Sequence, residues 1–411
     1  MPSPTSSRTS NSGLAQNVRP QRQAPPAAPD SRSPEQHFEK IRVGFVMHVM
    51  QVAGAEVLVK QIIERLGDMI EPTVFCLDDV GQLGFELRQA GVPVVVLDRQ
   101  PGLDRAVAKR LADEVKRRRI QVLHAHQYTP FFYSALARLL HRCHARILFT
   151  EHGRHFPDVV SWKRHWANRL VLQRFAEVST GCCDFSSEAL RRVEGFPRAI
   201  TLRNGVDLKD LPARGDRSEH QALRQRLGLD PAGPYAACIA RFHPIKDHPT
   251  LIRAWAKVIE SIPDARLLLV GDGQERQACE QLSRHLGLGE SVEFWGIRGD
   301  VADILRAVDV FTLTSISEAA SLTLLEAMAS QCPAAVTDVG GNGEHVAEAV
   351  EGYLVPRGDD TRLAQRLIEL LSDPDRAQEM GRAARQRVLR QFELTDVIRA
   401  YGDHYRALVE K

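Results

Sequence analysis

Two successive series of apolar strand-like runs, each run followed by a helical pattern, leave this chain very few folds. The first run, Ile41-Arg42-Val43-Gly44-Phe45-Val46-Met47, is apolar enough to be a strand buried on both faces. A Gly/Ala turn at Ala53-Gly54-Ala55-Glu56 follows, then a helical pattern through Val57, Leu58, Ile62, Ile63 and Leu66. Further runs lie at 73–77, 92–97, 121–124, 146–150, 177–180 and 199–202, with helical patterns such as 105–119 between most of them. After a polar break at 210–220 a second series begins, at 235–240, 266–271, 292–295, 310–314, 334–337 and 352–355. Such alternation specifies a parallel sheet covered on both faces. The expected fold class is α/β, one doubly wound architecture repeated, with a boundary near 205–220. Ligands of open α/β sheets bind beyond the carboxyl ends of the strands, so polar residues there are the candidates for chemistry.

Composition narrows the function classes. The 411 residues suit two or three domains, and 43% apolar with 26% charged residues is ordinary for a globular protein. A net charge of +2 gives no global case for nucleic-acid binding. No apolar run approaches the ~20 residues that span a bilayer, so any membrane contact is expected to be peripheral. The seven cysteines include no C-x-x-C pair, and Cys182-Cys183 are adjacent; reduced thiols in a cytoplasmic protein are expected. Residues 1–37 are Pro-, Ser- and Arg-rich with almost no large apolar side chains, which reads as a disordered tail.

The chemistry concentrates at strand ends. Glu318 and Glu326 stand eight residues apart in Ser317-Glu318-Ala319-Ala320-Ser321-Leu322-Thr323-Leu324-Leu325-Glu326. On a continuous helix they would sit ~80° apart. They can converge if Glu318 lies in a loop and Glu326 one turn inside a helix beginning near Leu322, with Ser321 as its N-cap. A helix N-terminus suits a phosphate. Arg241 and Lys246 follow the strand 235–240, where fixed cations can stabilise charge growing on a leaving diphosphate. His124 and His126 end another strand, and Thr150-Glu151-His152-Gly153 ends the next. Gly54 sits in the first loop, where Val49-Met50-Gln51-Val52-Ala53-Gly54 does not supply the G-x-G-x-x-G of a dinucleotide site.

These residues, in this order, resemble the retaining glycosyltransferases of the GT-B fold, glycosyltransferase family 4. The pair Glu318/Glu326 is similar to the family's E-x7-E and Arg241/Lys246 to its Arg-x4-Lys. Asn204-Gly205-Val206-Asp207, Gly271-Asp272-Gly273, Phe294-Trp295-Gly296-Ile297 and Gly340-Gly341-Asn342-Gly343-Glu344 match its N-G-[VI]-D, G-x-G, F-x-G and G-G-x-x-E elements. The resemblance implies two Rossmann-like domains facing across a cleft: an acceptor-side domain at 38–210 and a nucleotide-sugar domain at 211–394. A helix at 395–411 is expected to pack back on the first. It further implies that Glu318 and His126 meet the donor sugar, Arg241 and Lys246 the diphosphate, and Glu326 the ribose. Gly54, Gly271, Gly273, Ile297, Ser321 and Leu322 would line the donor, the residue after F-x-G meeting the base and G-G-x-x-E lying near the ribose. His124 is expected to point into the sheet, and His152 to line the acceptor side. The sequence departs from the family at Ala53, where a second glycine is usual, and at Ala319-Ala320-Ser321 after the first glutamate.

The implied activity is transfer of a hexosyl group from a nucleotide diphospho-sugar, a UDP-sugar above all, to a glycan or lipid-linked acceptor in polysaccharide or glycoconjugate synthesis. No cofactor and no metal are expected. The one D-x-D, Asp373-Pro374-Asp375, reads as a helix N-cap with Pro in the first turn. Two rivals share the fold, a nucleotide-sugar 2-epimerase and a non-catalytic scaffold. The basic pattern at 105–119 and the Trp162-Lys163-Arg164-His165-Trp166 segment suit an anionic bilayer surface. They predict a cytoplasmic enzyme that touches the inner face of the plasma membrane.

Overall fold

The computed structural model describes residues 39–153 and 161–410; the tail at 1–37 lies outside the described residues. The first sheet holds β1 (Ile41–Val49), β2 (Ile70–Asp79), β3 (Val94–Val96), β4 (Val122–His126), β5 (Arg146–Glu151), β6 (Ala176–Gly181) and β7 (Ile200–Thr201). The second holds β8 (Tyr235–Ile239), β9 (Arg266–Val270), β10 (Val292–Gly296), β11 (Val310–Leu313), β12 (Ala334–Thr337) and β13 (Gly352–Val355). The spatial orders are β3-β2-β1-β4-β5-β6-β7 and β10-β9-β8-β11-β12-β13, all pairings parallel. The order therefore reverses between β1 and β4 and again between β8 and β11. Those reversals open crevices at the carboxyl ends of the strands.

Buried parallel strands explain why the apolar runs were continuous: all residues of β4, β8, β11 and β12 are buried. On one face of the first sheet, Val46, Leu123 and Phe149 pack with Phe131 of helix Tyr128–His141 and with helix Arg105–Arg117. The other face is shared by helix Gly54–Arg65 and helix Leu394–Val409, whose Leu394, Val397, Ile398, Tyr401, Tyr405 and Leu408 pack with Val43 and Phe45. The chain thus leaves its last domain to complete the first. Outgoing and returning segments bond where they cross, Val206 N to Phe392 O at 2.9 Å and Leu394 N to Val206 O at 3.1 Å. A Cβ on Gly205 would stand 3.0 Å from both Leu394 Cα and Phe392 O, so the crossing needs a glycine there. All seven cysteines are free and buried.

One expectation fails here. Helix Arg105–Arg117 spends its apolar stripe (Val107, Ala108, Leu111, Ala112, Val115) in the core. Several of its cations are also engaged: Lys109 with Asp113 at 2.7 Å, Arg110 with Asp104 at 3.0 Å, and Arg117 with Glu114 at 2.5 Å. This helix has no apolar face left for a bilayer. Among the described residues no helix is long and apolar enough to cross a membrane.

Candidate active site

Loops from both sheets enclose a cavity of about 360 Å³, lined by His48, His152 and Gly153 from the first sheet and Arg241, Lys246 and Glu318 from the second. On the second sheet, the loops after β8 and β11 are tied together. Thr314 Oγ1 donates to the carbonyls of Lys246 and Asp247 at 3.0 Å each, and Ile316 N donates to Ile245 O at 2.7 Å. Lys246 Nζ consequently sits 2.5 Å from Glu318 Oε2, which also accepts from Ser315 Oγ at 2.9 Å. Arg241 is exposed and has no ion-pair partner among the described residues. Gly271 and Gly273 do not line this cavity. They support it, since a Cβ on either would strike the carbonyl of Ala240 or Phe242 at 2.1 and 2.4 Å.

Glu318 lies in the loop and Glu326 in helix Leu322–Ala329, as the spacing required. Ser321 caps that helix, its Oγ accepting from Leu324 N at 3.3 Å. The helix start faces the start of helix Gly54–Arg65 across the cleft: a Cβ on Gly54 would stand 3.3 Å from Leu322 Cδ1. Two helix N-termini, with their positive dipole ends, therefore border the cleft. Ala319 departs from the family glycine, and its methyl packs with Cys182 and Cys183 and against Gly153. Gly153 has φ +101°, and a Cβ there would lie 2.3 Å from that of Ala319.

The Glu326 carboxyl has no hydrogen-bond partner among the described residues, and burial pushes it up to about 7. The folded chain holds this proton more tightly than the unfolded chain does. Its contribution to stability is greatest below about pH 4.5 and is lost as pH rises through about 7. A ribose hydroxyl donates more strongly to the carboxylate than to the acid, whose carbonyl oxygen is the weaker acceptor. UDP affinity should therefore rise between pH 6 and 8 and binding near pH 7 should release a proton. Calorimetry in buffers of different ionisation enthalpy, with Glu326→Gln as the flat control, measures it; identical proton release in the two proteins would refute the assignment.

The histidines depart from expectation. His124 and His126 share one face of the sheet, ring centroids 3.9 Å apart, because residues two apart on a strand point the same way. His124 is the deeper, bonded to Tyr405 Oη at 2.7 Å and Thr150 Oγ1 at 2.8 Å. His126 is fully buried and does not line the cavity; His152 stands in front of it, His126 Nδ1 to His152 Nε2 at 2.7 Å. Burial lowers His152 to about 4 and His126 well below its ordinary value, so both rings are neutral. His126 Nε2 and His152 Nδ1 are buried without partners among the described residues. One bridge between two neutral imidazoles leaves one N–H and one lone pair unmet, an unusual vacancy for buried polar atoms.

Two further placements were not legible in the motifs. His48, at the end of β1, donates from Nδ1 to Asp78 Oδ2 at 3.0 Å, since a carboxylate can only accept. Asp78 in turn is held by Arg99 Nε at 2.7 Å and Nη2 at 3.2 Å. Burial raises the Asp78 carboxyl, and Arg99 and His48 outweigh it, leaving it below its ordinary value. His48 thereby lines the cavity with its ring tied to Asp78. Glu344, expected near the ribose, instead accepts from Asp184 N at 2.7 Å and Phe185 N at 2.6 Å, capping helix Asp184–Arg192 of the other sheet. Ile297 is 83% exposed beside the second sheet and does not line the cavity. Asp373 accepts from Arg376 N at 3.0 Å as a helix N-cap.

Two doubly wound sheets that close on one polar cavity at both of their switch points have the GT-B architecture. The chain belongs to the group 1, family 4 glycosyltransferases: the family model Glycosyl transferases group 1 matches residues 219–387 and Glycosyltransferase Family 4 matches 52–210. It is 29% identical over 309 residues to N-acetyl-alpha-D-glucosaminyl L-malate synthase of Bacillus anthracis, covering 74% of this chain and 79% of that one. It is 30% identical over 258 residues to a GDP-mannose-dependent monoacylated alpha-(1-6)-phosphatidylinositol monomannoside mannosyltransferase of Corynebacterium glutamicum, 59% of this chain and 65% of that one. Anabaena Alr3699/HepE in complex with UDP shares the fold, with a TM-score of 0.79 and 22% identity, covering 89% of this chain and all of that one.

Proposed function

We propose that this glycosyltransferase moves a hexosyl group from a UDP-sugar to a glycan or lipid-linked acceptor with retention of anomeric configuration. The observation that carries the donor reading is the cavity wall of Arg241, Lys246 and Glu318 beside two facing helix starts. Arg241 and Lys246 hold the diphosphate, Glu318 and His152, with His126 bonded behind it, hold the sugar, and Glu326 holds the ribose. The sugar–phosphate C–O bond breaks as the acceptor oxygen bonds the anomeric carbon on the same face. The acceptor's proton passes to the leaving phosphate oxygen. No cavity-lining carboxylate is assigned the role of a covalent nucleophile, which would have to sit against the far face of the sugar. Support for a small polar or lipid acceptor comes from the relatives, one named for L-malate and one for an acylated phosphatidylinositol mannoside.

A thermal-shift screen against UDP-, GDP- and ADP-sugars, followed by mass spectrometry of products with candidate acceptors, tests this reading. Stabilisation by GDP- or ADP-sugars alone would move the donor. Sugar-nucleotide turnover without any acceptor would point to a 2-epimerase. Because two side-chain cations supply the positive potential, activity is expected to persist in EDTA. Loss in chelator that Mg²⁺ or Mn²⁺ restores would refute the metal-free reading.

A further inference from the structure

Helix Trp162–Leu170 is built inside out. A surface helix ordinarily buries its apolar stripe and shows its polar one. Here Asn168 is fully buried, its Nδ2 donating to Glu194 O at 2.7 Å and its Oδ1 accepting from Tyr128 Oη at 2.9 Å. His165 Nδ1 donates to Val193 O at 2.9 Å, and Arg164 pairs with Glu194. The outward face carries Trp162, Trp166 and Leu170, exposed by 68%, 53% and 57%. Steps of four residues keep the three on one side of the helix. Folding leaves this apolar stripe unburied, although the polar side chains opposite it were worth burying.

Beside the end of that helix lies a second cavity, of about 750 Å³, lined by Arg146, Arg169, Arg174 and Arg198. It lies at the amino ends of β5 and β6, away from the donor cavity at the carboxyl ends. Its one lining carboxylate, Glu177, is committed to Arg138 at 2.6 Å and to Ile147 N at 2.7 Å, and reaches Arg146 at 3.9 Å. Arg169, Arg174 and Arg198 have no ion-pair partner among the described residues. Convergent guanidinium groups without a counter-charge suit a phosphate, which takes their planar N–H pairs. Tryptophan beside cations suits the boundary between headgroups and acyl chains.

We propose that this face docks on an anionic lipid surface, with a headgroup phosphate in the arginine cavity and Trp162, Trp166 and Leu170 seated among the lipids. It builds on the reading of the acceptor as a lipid-linked or surface-polysaccharide precursor, and gives the enzyme a way to remain where such acceptors are made. Co-sedimentation of the full chain with phosphatidylglycerol/phosphatidylcholine vesicles, against pure phosphatidylcholine, tests it at low and high salt. Each arginine near an anionic surface is worth about a fivefold change in partitioning, so R169Q/R174Q/R198Q should lose roughly 10²-fold. Trp162→Ser/Trp166→Ser should also lose binding, and both variants should keep wild-type UDP affinity. Wild-type binding that the arginine variant retains would overturn the site while leaving membrane contact intact. A wild-type protein that stays in the supernatant, yet binds inorganic pyrophosphate through these arginines, would overturn the lipid as its ligand. UDP affinity and donor turnover report the transferase reading separately.

Discussion

Replacing Lys246 or Arg241 with alanine is expected to lower turnover by about 10²–10³, the usual loss when one group that stabilises developing charge is removed. The two losses should differ in kind. Arg241 is exposed and unpaired, so its removal takes away a diphosphate ligand and little else. Lys246 also neutralises Glu318, and its removal leaves that carboxylate with a serine hydroxyl for company. Lys246→Ala should therefore lower thermal stability as well, whereas Arg241→Ala should not. Steady-state rates and melting curves on both variants measure this, and near-wild-type rates in both would sink the assignment.

Glu318→Ala is expected to slow transfer by roughly 10², on the same scale of lost transition-state contact, while UDP affinity stays level or improves. The asymmetry follows from the ion pair. Without donor, Lys246 is held by Glu318; without Glu318, it is free to meet a diphosphate that carries no sugar. UDP lacks the hexose that Glu318 would touch, so nothing in its binding requires the glutamate. Titration calorimetry with UDP, beside single-turnover transfer rates, separates the two quantities. A loss of UDP affinity equal to that in Glu326→Ala would erase the distinction between the two glutamates.

Buried parallel strands announce themselves as unbroken apolar runs, which is why both sheets could be read from sequence to within three residues at each strand end. The loop–helix split between Glu318 and Glu326 was legible for a similar reason: the spacing excluded one face of a single helix. Depth was not legible. The pattern placed His126 at a strand end but could not show that His152, on the neighbouring strand, stands between it and the cavity. Partners across elements were equally hidden. His48, Asp78 and Arg99 end or follow three strands adjacent only in space, and Glu344 finds its amides in the other half of the chain. Helix Trp162–Leu170 defeated pattern reading because its apolar stripe faces outward, so amphipathicity gave the faces and their assignment required the fold.

The crossing at Val206 and Phe392 has a consequence for synthesis. All seven strands of the first sheet have left the ribosome once Thr201 has emerged, yet helix Leu394–Val409, which covers β1 and β4, is still about 190 residues away. At ~5–20 residues per second that is a wait of roughly 10–40 s with Val43, Phe45 and His124 facing water. The nascent first half must either borrow a temporary cover or wait uncommitted, and the second half, with its own core, is free to finish first. In this protein the sheet that is translated first is completed by the helix that is translated last.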